Sequence, residues 1–186
     1  MSKAKPKLEV VVSAIVDVTD EIKRFEFQRV DGQPLPPFSG GAHVVVEMDD
    51  SGTRRMNPYS LMSNPGDTST YAISVRRDDA GRGGSLFLHK RLKPGDTLQL
   101  SMPTNLFSLD RTASKHLMVA GGIGITPFLS QIKQLQSQTG RLGTAGKADL
   151  ELHYFTRERS KTAYLADLTD DALVSLTTYF DNEDPD

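Results

Sequence analysis

The sequence has no cysteine among its 186 residues, and its 22 basic and 24 acidic side chains leave a net charge of −2. The missing thiols exclude a disulfide, a thiol nucleophile and a cysteine-ligated iron–sulfur cluster. The balanced charge gives no support to a general attraction for nucleic acids or membranes. There is also no long apolar run and no signal-like start, so we expect a soluble cytoplasmic protein without a nucleic-acid or membrane partner.

The first part of the chain consists of short apolar segments separated by turns, several of them rich in β-branched residues. Residues 86–92 have helical spacing instead, and residues 103–110 are irregular and predict a connection. Short strands at this spacing favour an antiparallel barrel or sandwich. The predicted strands are residues 8–18 with a bend at Ser13, 22–30, 41–48, 71–77 and 97–101.

A second pattern begins at about Thr112, where a buried strand at 117–120 runs into the glycine-rich segment 121–127, GGIGITP. Residues with helical spacing follow it. Free N–H groups at the start of a helix favour an anion such as a pyrophosphate, and glycine lets a ligand approach the backbone closely. The spacing is not the Rossmann G-x-G-x-x-G pattern, so a tight strand-to-helix turn without a ligand is an equal alternative.

The chain then continues so that strands and helices alternate. We predict a polar linker over residues 137–147, a strand over 149–155, a helix over 163–173 and a further strand over 174–180. This order implies a parallel sheet with helices on its faces, in which ligands bind beyond the carboxyl ends of the strands. The basic loop 156–161, TRERSK, lies at such an end and is either a phosphate contact or a solvated loop.

Two segments of the first part are also candidate phosphate sites. Residues 53–64, TRRMNPYSLMSN, combine two arginines with a tyrosine whose ring could stack on a flat heterocycle. The alternative for this segment is a solvated charged turn followed by a strand. Residues 78–85, DDAGRGGS, form a glycine-rich loop before the predicted helix and are a second candidate phosphate cradle. The alternative here is a flexible hairpin loop.

Three motifs taken together are more specific than any one of them. NPYSL at residues 57–61, GRGGS at 81–85 with the preceding SVRR, and AGGIGITP at 120–127 resemble, in order and separation, the ferredoxin–NADP reductase superfamily. Within it, the chain is most similar to the phthalate dioxygenase reductase-like group, the reductase components of Rieske-type oxygenases such as vanillate demethylase and amine or carnitine monooxygenases. The resemblance implies a six-stranded antiparallel flavin-binding β-barrel over residues 1–111. A truncated parallel α/β nicotinamide-nucleotide-binding domain would follow over residues 112–186.

The resemblance also implies roles for individual residues. Tyr59 would stack on the flavin ring, Ser60 would hydrogen-bond near its reactive nitrogen, and Thr126 would sit where the nicotinamide meets the flavin. Ser60 and Thr126 are therefore the two expected catalytic residues. The other implied cofactor-binding residues are Leu61, Ser74, Val75 and Arg76 at the ring, Arg55, Gly83, Gly84 and Ser85 at the FMN phosphate, Gly121, Gly122 and Gly124 at the dinucleotide pyrophosphate, and Thr156 and Arg157 at the adenosine end.

The sequence departs from the family pattern in two places. The family arginine usually stands two residues before the tyrosine, where this chain has Asn57, whereas Arg55 stands four residues before it. Arg55, Arg76 and Arg82 are therefore all candidates for the phosphate contact. The family also continues with the rest of the nicotinamide domain and a plant-type 2Fe–2S domain, which this sequence does not contain. We expect a truncated or proteolysed chain that binds flavin but has no cluster of its own.

The function implied by the resemblance is that of a flavin-dependent oxidoreductase. It would take a hydride from NADH onto FMN and pass electrons singly to an iron–sulfur acceptor, the terminal Rieske-type oxygenase. The chemistry belongs to the cofactors, which agrees with the lack of a convincing acid–base pair, and we predict no metal site. NADPH stays an alternative because residues 156–161 carry enough positive charge for a 2′-phosphate. Two competing functions stay open on the residues alone: a non-catalytic flavin- or nucleotide-binding module, and a phosphate-binding α/β protein without flavin.

Overall fold

The computed structural model describes residues 6–110, 112–142 and 149–183, with only the backbone described for residues 138–142. Its first sheet contains the strands β1 (Lys7–Thr19), β2 (Ile22–Arg29), β3 (Ala42–Asp50), β4 (Thr53–Ser60), β5 (Tyr71–Arg76), β6 (Thr97–Ser101) and β7 (Thr104–Asn105). The six longer strands follow the order β4-β3-β6-β1-β2-β5, and β7 pairs with β3. All of these pairings are antiparallel, which confirms the predicted antiparallel strand layout.

The sheet curls around an apolar core because its strands alternate buried and partly exposed side chains. In β3 every second residue from Ala42 to Met48 is buried. The predicted bend in β1 is confirmed, since the pairing register with β2 shifts between Val12 and Ala14. Such a bulge increases the local twist of a strand and helps a sheet to curl. The expectation that residues 103–110 are wholly irregular is wrong, because β7 adds a short pairing to β3 there.

A short helix, α1 (Gly84–Lys90), follows β5 and confirms the helix predicted over residues 86–92, although it begins two residues earlier. Its Leu88 side chain is fully buried in the core of the first sheet. The helix therefore covers one end of the curled sheet, and its N-terminus lies where the glycine-rich loop reaches β4.

The second sheet is parallel, as predicted. It contains β8, β9 and β10 in the order β10-β9-β8. Its elements are β8 (Lys115–Gly121), a 3-10 helix (Gly122–Ile125), α2 (Thr126–Leu142), β9 (Asp149–Thr156), a second 3-10 helix (Arg159–Lys161), α3 (Leu165–Thr169) and β10 (Val174–Phe180). The buried side chains of β8 and β9 share one apolar core with those of α2 and α3.

Two of the predicted boundaries in this part are wrong. The linker predicted over residues 137–147 is instead helical as far as Leu142, because polar side chains do not by themselves end a helix, while residues 143–148 lie outside the described residues. The helix predicted over 163–173 is reduced to α3. It ends there because Asp171 accepts a hydrogen bond from the Leu173 N–H at 2.9 Å and from the Gln136 side chain at 2.5 Å, which directs the chain into β10.

A stripe of polar side chains on α2 joins the two sheets. Ser130 accepts a hydrogen bond from the Gly41 N–H at 3.0 Å, and Gln134 accepts one from the Gly40 N–H at 2.6 Å. Gln131 donates to the Phe107 carbonyl at 2.7 Å. Ser130 and Gln131 are buried, so their hydrogen bonds to the backbone just before β3 and just after β7 are what make their burial tolerable. Ser130, Gln131 and Gln134 are called the polar stripe below.

The predicted domain boundary between residues 111 and 112 stays a prediction. The two sheets on either side of it share buried contacts. Ile22, Met62 and Ala72 of the first sheet and its connections pack into the core of the second. Within residues 6–110, 112–142 and 149–183, no helix has the length and hydropathy that a membrane crossing would require.

We predict that Gly41→Ala will destabilise the fold through this junction. Gly41 has a φ of 91°, and a Cβ there would overlap the Phe107 carbonyl oxygen. Left-handed strain and overpacking together should lower the free energy of unfolding by about 3 kcal/mol. Chemical denaturation of the variant and the unmodified chain measures the difference.

Gly52→Ala is the matched control, because Gly52 has a φ of 88° but a Cβ there meets nothing within 4 Å. It should cost only the backbone strain, about 1 kcal/mol. Equal losses in the two variants would show that the contact with Phe107 contributes nothing.

Candidate functional site

A slot opens between β4 and β5, the two strands at the ends of the antiparallel order. The segment after β4 and the start of β5 are joined at one end, where the Met62 N–H donates to the Ala72 carbonyl at 2.9 Å. The Ala72 N–H in turn donates to the Ser63 hydroxyl at 3.2 Å. No ladder between β4 and β5 is recorded among the described residues. We call the space between these two strands the β4–β5 slot.

One face of β4 supplies the side chains of the slot. Arg55, Asn57 and Tyr59 are half-buried, whereas the residues between them are exposed. The ladder to β3 runs without a bulge along this strand. Strand side chains alternate with a period of two. Positions 55 and 57, which lie four and two residues before Tyr59, are therefore on the same face of the strand. The unusual spacing of Arg55 therefore leaves it in line with Tyr59.

The glycine-rich loop before α1 closes the far end of the slot. The Arg55 guanidinium donates to the Arg82 carbonyl, and a Cβ at Gly83, where φ is 92°, would come within 3.0 Å of the Arg55 Cζ atom. A Cβ at Gly84 would lie 2.7 Å from the Asn57 Nδ2 atom. These two glycines therefore let the start of α1 lie directly against Arg55 and Asn57.

This end of the slot fits a phosphate group. The buried Nε atom of Arg55 has no hydrogen-bond partner among the described residues. The carboxylate recorded beside the guanidinium, on Asp50, lies 3.9 Å from its Nη2 atom. The first N–H groups of α1 also lack acceptors within the helix. The Ser85 hydroxyl is engaged inside the loop, where it accepts from the Asp78 N–H at 3.1 Å, so its backbone N–H is the group left for a ligand.

The other predicted positions for the flavin ring lie along β5 and at the end of β4. Because both backbone groups of Ala72 point to the slot, strand alternation directs those of Ser74 and Arg76 to the same edge. Val75 is buried in the core, and its carbonyl accepts from the His89 ring at 2.8 Å. Burial lowers the pKa of His89, which favours the neutral ring. The Leu61 side chain is fully buried in the core.

The glycine turn after β8 leaves open space. A Cβ at Gly121, Gly122 or Gly124 would meet nothing within 4 Å, and only Gly122 has a positive φ, of 48°. Neither backbone strain nor packing requires glycine at Gly121 and Gly124, so the missing side chains leave room above the turn. The Tyr154 hydroxyl supports the turn from below by donating to the Gly122 carbonyl at 3.1 Å. Burial raises the pKa of Tyr154 and keeps this donor protonated.

The glycine turn and the β4–β5 slot meet. The 3-10 helix Gly122–Ile125 contacts β5, and Pro127 at the start of α2 lines a cleft of about 490 Å³ together with Tyr59, Ser60 and Phe107. Thr126 is buried, and its hydroxyl donates to the Ile123 carbonyl at 3.2 Å. The two predicted catalytic residues therefore lie on either side of one junction, with the Thr126 hydroxyl already used within the turn.

The remaining predicted residues lie at the carboxyl end of β9 and just after it. The Thr156 and Thr162 hydroxyls share a hydrogen bond at 2.7 Å, and Arg157 is exposed. The other two cations of this basic loop have carboxylate partners. Lys161 pairs with Glu158 at 2.6 Å. Arg159 pairs with Glu183 at 3.8 Å and lies over the Phe180 ring.

Comparison with known proteins identifies the family. A family model described as the oxidoreductase FAD-binding domain matches residues 9–109. The chain belongs to this family. It therefore has a flavin-binding domain, and the parallel sheet that follows has the fold of the NAD-binding part of such reductases.

Relatives of the whole chain agree with this assignment. The carnitine monooxygenase reductase subunit of Escherichia coli K12 is 47% identical over 160 residues, which are 86% of this chain and 47% of that protein. The solved structure of phthalate dioxygenase reductase matches with a TM-score of 0.83 and 36% identity, covering 96% of this chain and 53% of that one. The resemblance to the phthalate dioxygenase reductase-like group is thus confirmed. The chain spans about half the length of these relatives.

A more distant match supports the fold alone. The FAD/NAD-binding domain of a nitric oxide dioxygenase from Vibrio cholerae is 20% identical with a TM-score of 0.81, and the match covers 96% of this chain and 76% of that one. The two-sheet architecture is therefore shared by FAD/NAD-binding domains whose sequences have diverged far.

Several residues that shape the site could not be found from the motifs. Tyr154 and His89 act through hydrogen bonds to backbone carbonyls far away in sequence, and Asn57 through contact with Gly84. Only Asn57 had a signal in the sequence. Strand periodicity places it between Arg55 and Tyr59 on the same face of β4.

We predict that Arg55→Ala will weaken flavin binding by the isolated chain about thirtyfold, because a charge-assisted hydrogen bond of about 2 kcal/mol to the phosphate would be lost. Titration of the apoprotein with flavin, followed by fluorescence, measures the dissociation constant.

The neighbouring Arg54→Ala is the matched control. Arg54 lies on the opposite face of β4, with 62% of its side chain exposed and an ion pair to Glu47 at 2.9 Å. It should change the affinity by less than about twofold. A similar loss in both variants would contradict a specific role for Arg55.

Proposed function

We propose that this chain is the flavin- and nicotinamide-binding part of a reductase that transfers a hydride from NADH to FMN and delivers electrons to an iron–sulfur acceptor. One observation carries the proposal: the open edge of β5 lines the β4–β5 slot, and the glycine turn of the parallel sheet contacts that same strand. A ligand held by the turn would therefore reach a ligand held in the slot.

The chain's own residues would bind and orient the two cofactors. Tyr59 offers a ring for stacking, and the backbone groups of Ser74 and Arg76 offer hydrogen bonds to the edge of a flat heterocycle. Ser60 lines the cleft together with Pro127, and its hydroxyl would face the place where the two cofactors meet. When bound, the flavin supplies the chemistry of accepting a hydride and releasing single electrons.

We propose FMN rather than FAD as the flavin. The resemblance to the phthalate dioxygenase reductase-like group supports this choice. So does the character of the phosphate end, where the Arg55 guanidinium and the N–H groups at the start of α1 would meet a terminal, doubly charged phosphate. Gly83, Gly84 and Ser85 would supply the backbone of this cradle.

We propose NADH rather than NADPH as the hydride donor. The basic loop 156–161 favours a 2′-phosphate only if its cations are free, and the ion pairs Lys161–Glu158 and Arg159–Glu183 oppose this. Only Arg157 has no carboxylate recorded beside it among the described residues. Gly121, Gly122 and Gly124 would leave room for the pyrophosphate, and Thr156 would lie near the adenosine end.

The electron acceptor would lie outside these 186 residues, because they contain no cysteine to hold a cluster. The names of the relatives support an oxygenase system as the partner, since they are reductases of a carnitine monooxygenase and of a phthalate dioxygenase. A terminal Rieske-type oxygenase is accordingly the acceptor that we propose.

We predict that the chain loaded with FMN will be reduced by NADH in the absence of oxygen. The visible absorption of the flavin should bleach, and mass analysis of the cofactor released by denaturation should identify FMN. NADPH should act at least about tenfold more slowly because its 2′-phosphate meets paired cations.

Flavin that is bound and reduced by dithionite, but not by NADH, would instead make the chain a non-catalytic flavin-binding module. A chain that takes up neither FMN nor FAD would contradict the proposal altogether.

We also predict that the double variant Glu158→Gln/Glu183→Gln will lower the preference for NADH over NADPH about tenfold. Glutamine keeps the oxygen that accepts from the Arg159 N–H at 2.7 Å, but removes the charges that neutralise Arg159 and Lys161. The ratio of kcat/KM for the two nucleotides is the measurement.

Glu151→Gln is the matched control, because Glu151 also pairs with a lysine, Lys115 at 2.6 Å. It lies on β9 itself, towards the end of the strand opposite to the basic loop. It should leave the preference unchanged. An unchanged preference in the double variant would show that these carboxylates do not affect nucleotide choice.

A further inference from the structure

Tyr164 has an unusual backbone conformation. Its φ is 61°, and the only other non-glycine residue with a positive φ in the described ranges is Ser51, in an exposed turn. Tyr164 precedes α3 and is only 9% exposed, within the core that α2 and the parallel sheet share. A bulky residue persists in the left-handed region only where its surroundings hold it.

The Tyr164 hydroxyl reaches across to the first sheet. It shares a buried hydrogen bond with the Ser74 hydroxyl on β5, and the Ser74 hydroxyl donates onward to the Met62 sulfur at 3.2 Å. A serine hydroxyl has one hydrogen, so when Ser74 donates it to the Met62 sulfur, Tyr164 is the donor in the bond between the two hydroxyls. Burial raises the pKa of Tyr164, so the phenol stays protonated and able to donate.

A second hydrogen bond also runs from the elements that cover the parallel sheet to Met62. The Lys133 ammonium on α2 donates to the Met62 carbonyl at 3.0 Å, and the Met62 N–H is one of the groups that close the β4–β5 slot. The two contacts with the first sheet therefore end on residues that border the slot. The polar stripe joins the sheets elsewhere, at Gly40, Gly41 and Phe107.

We propose that Tyr164 is a positioning residue for hydride transfer. Its hydroxyl fixes the flavin-facing edge of β5 at Ser74 relative to the parallel sheet that carries the glycine turn. The proposal rests on the proposed function, and it follows from the short range of the reaction, since reacting atoms must approach to about 3–3.5 Å. Because Tyr164 is buried, it would act through Ser74 and not by touching a cofactor.

The test is Tyr164→Phe, which keeps the buried ring and removes the hydroxyl. We expect the limiting rate of flavin reduction by NADH, measured by anaerobic stopped flow, to fall about tenfold, while the apparent dissociation constants of FMN and NADH change less than about threefold. A variant that is reduced as fast as the unmodified chain overturns the proposal.

Tyr179→Phe is the matched control, because it also removes one tyrosine hydroxyl, in this case from strand β10. The Tyr179 hydroxyl bonds to the His153 ring at 2.8 Å, with Tyr179 on the open face of β10. Its rate should equal that of the unmodified chain, and an equal loss in both variants overturns the positioning role.

A double-variant cycle separates positioning from general damage. Ser74→Ala removes the same hydrogen bond from the other side and serves alone if Tyr164→Phe does not fold. The double variant should be no slower than the slower single variant, because both remove one interaction. Losses that multiply overturn the proposal.

Hydrogen exchange of the apoprotein gives a readout that needs no cofactor. The Ser74 and Arg76 amides should exchange about tenfold faster in Tyr164→Phe than in Tyr179→Phe, and equal exchange overturns the proposal. If the unmodified chain binds FMN but NADH does not reduce it, the proposed function fails and the role in hydride transfer fails with it. Faster exchange would then show only that Tyr164 orders β5.

Discussion

The hydrogen bonds between Ala72 and the segment at Met62 and Ser63 determine where the antiparallel sheet stays open. They join the two end strands at one point and leave the rest of β4 and β5 unpaired with each other. Unpaired strand edges present N–H and C=O groups that need partners. A flat heterocycle with donors and acceptors on its rim can satisfy such an edge, and the open slot is therefore consistent with the flavin-binding family to which the chain belongs.

Glycine serves two opposite purposes around this slot. At Gly83 and Gly84 the missing side chains let the loop pack against Arg55 and Asn57, so that the start of α1 meets a guanidinium. At Gly121 and Gly124 the missing side chains leave empty space, because nothing lies near where a Cβ would be. Both kinds look alike in the sequence as glycine-rich loops before helices. Only the surroundings distinguish a glycine that allows close packing from one that leaves room for a ligand.

The sequence predicted those features whose signals are local. The strands, the bend at Ser13 and the glycine turn follow from β-branched runs, alternation and strand-to-helix patterns. The length of α2 was missed because no local signal separates a polar helix end from a linker, and α3 was overextended because Asp171 ends it through a contact with Gln136. Tyr164 could not be assigned a role, because its partner Ser74 is 90 residues away in the sequence. The position of Arg55, by contrast, could be predicted from strand periodicity, which places Arg55 on the same face of β4 as Tyr59.

The contacts between the sheets include several hydrogen bonds beside the apolar packing, and these have a physical consequence. Apolar packing tolerates small sliding and rotation with little loss, whereas a hydrogen bond weakens steeply when its distance or angle changes. Ser130, Gln131 and Lys133 on α2, together with Tyr164, each bond to one defined atom of the first sheet or of the connection that follows it. Such a junction gives less net stability than an apolar one of the same area, but it specifies a single relative orientation. That property suits a reaction whose rate depends on the separation of two bound rings more than on the affinity for either.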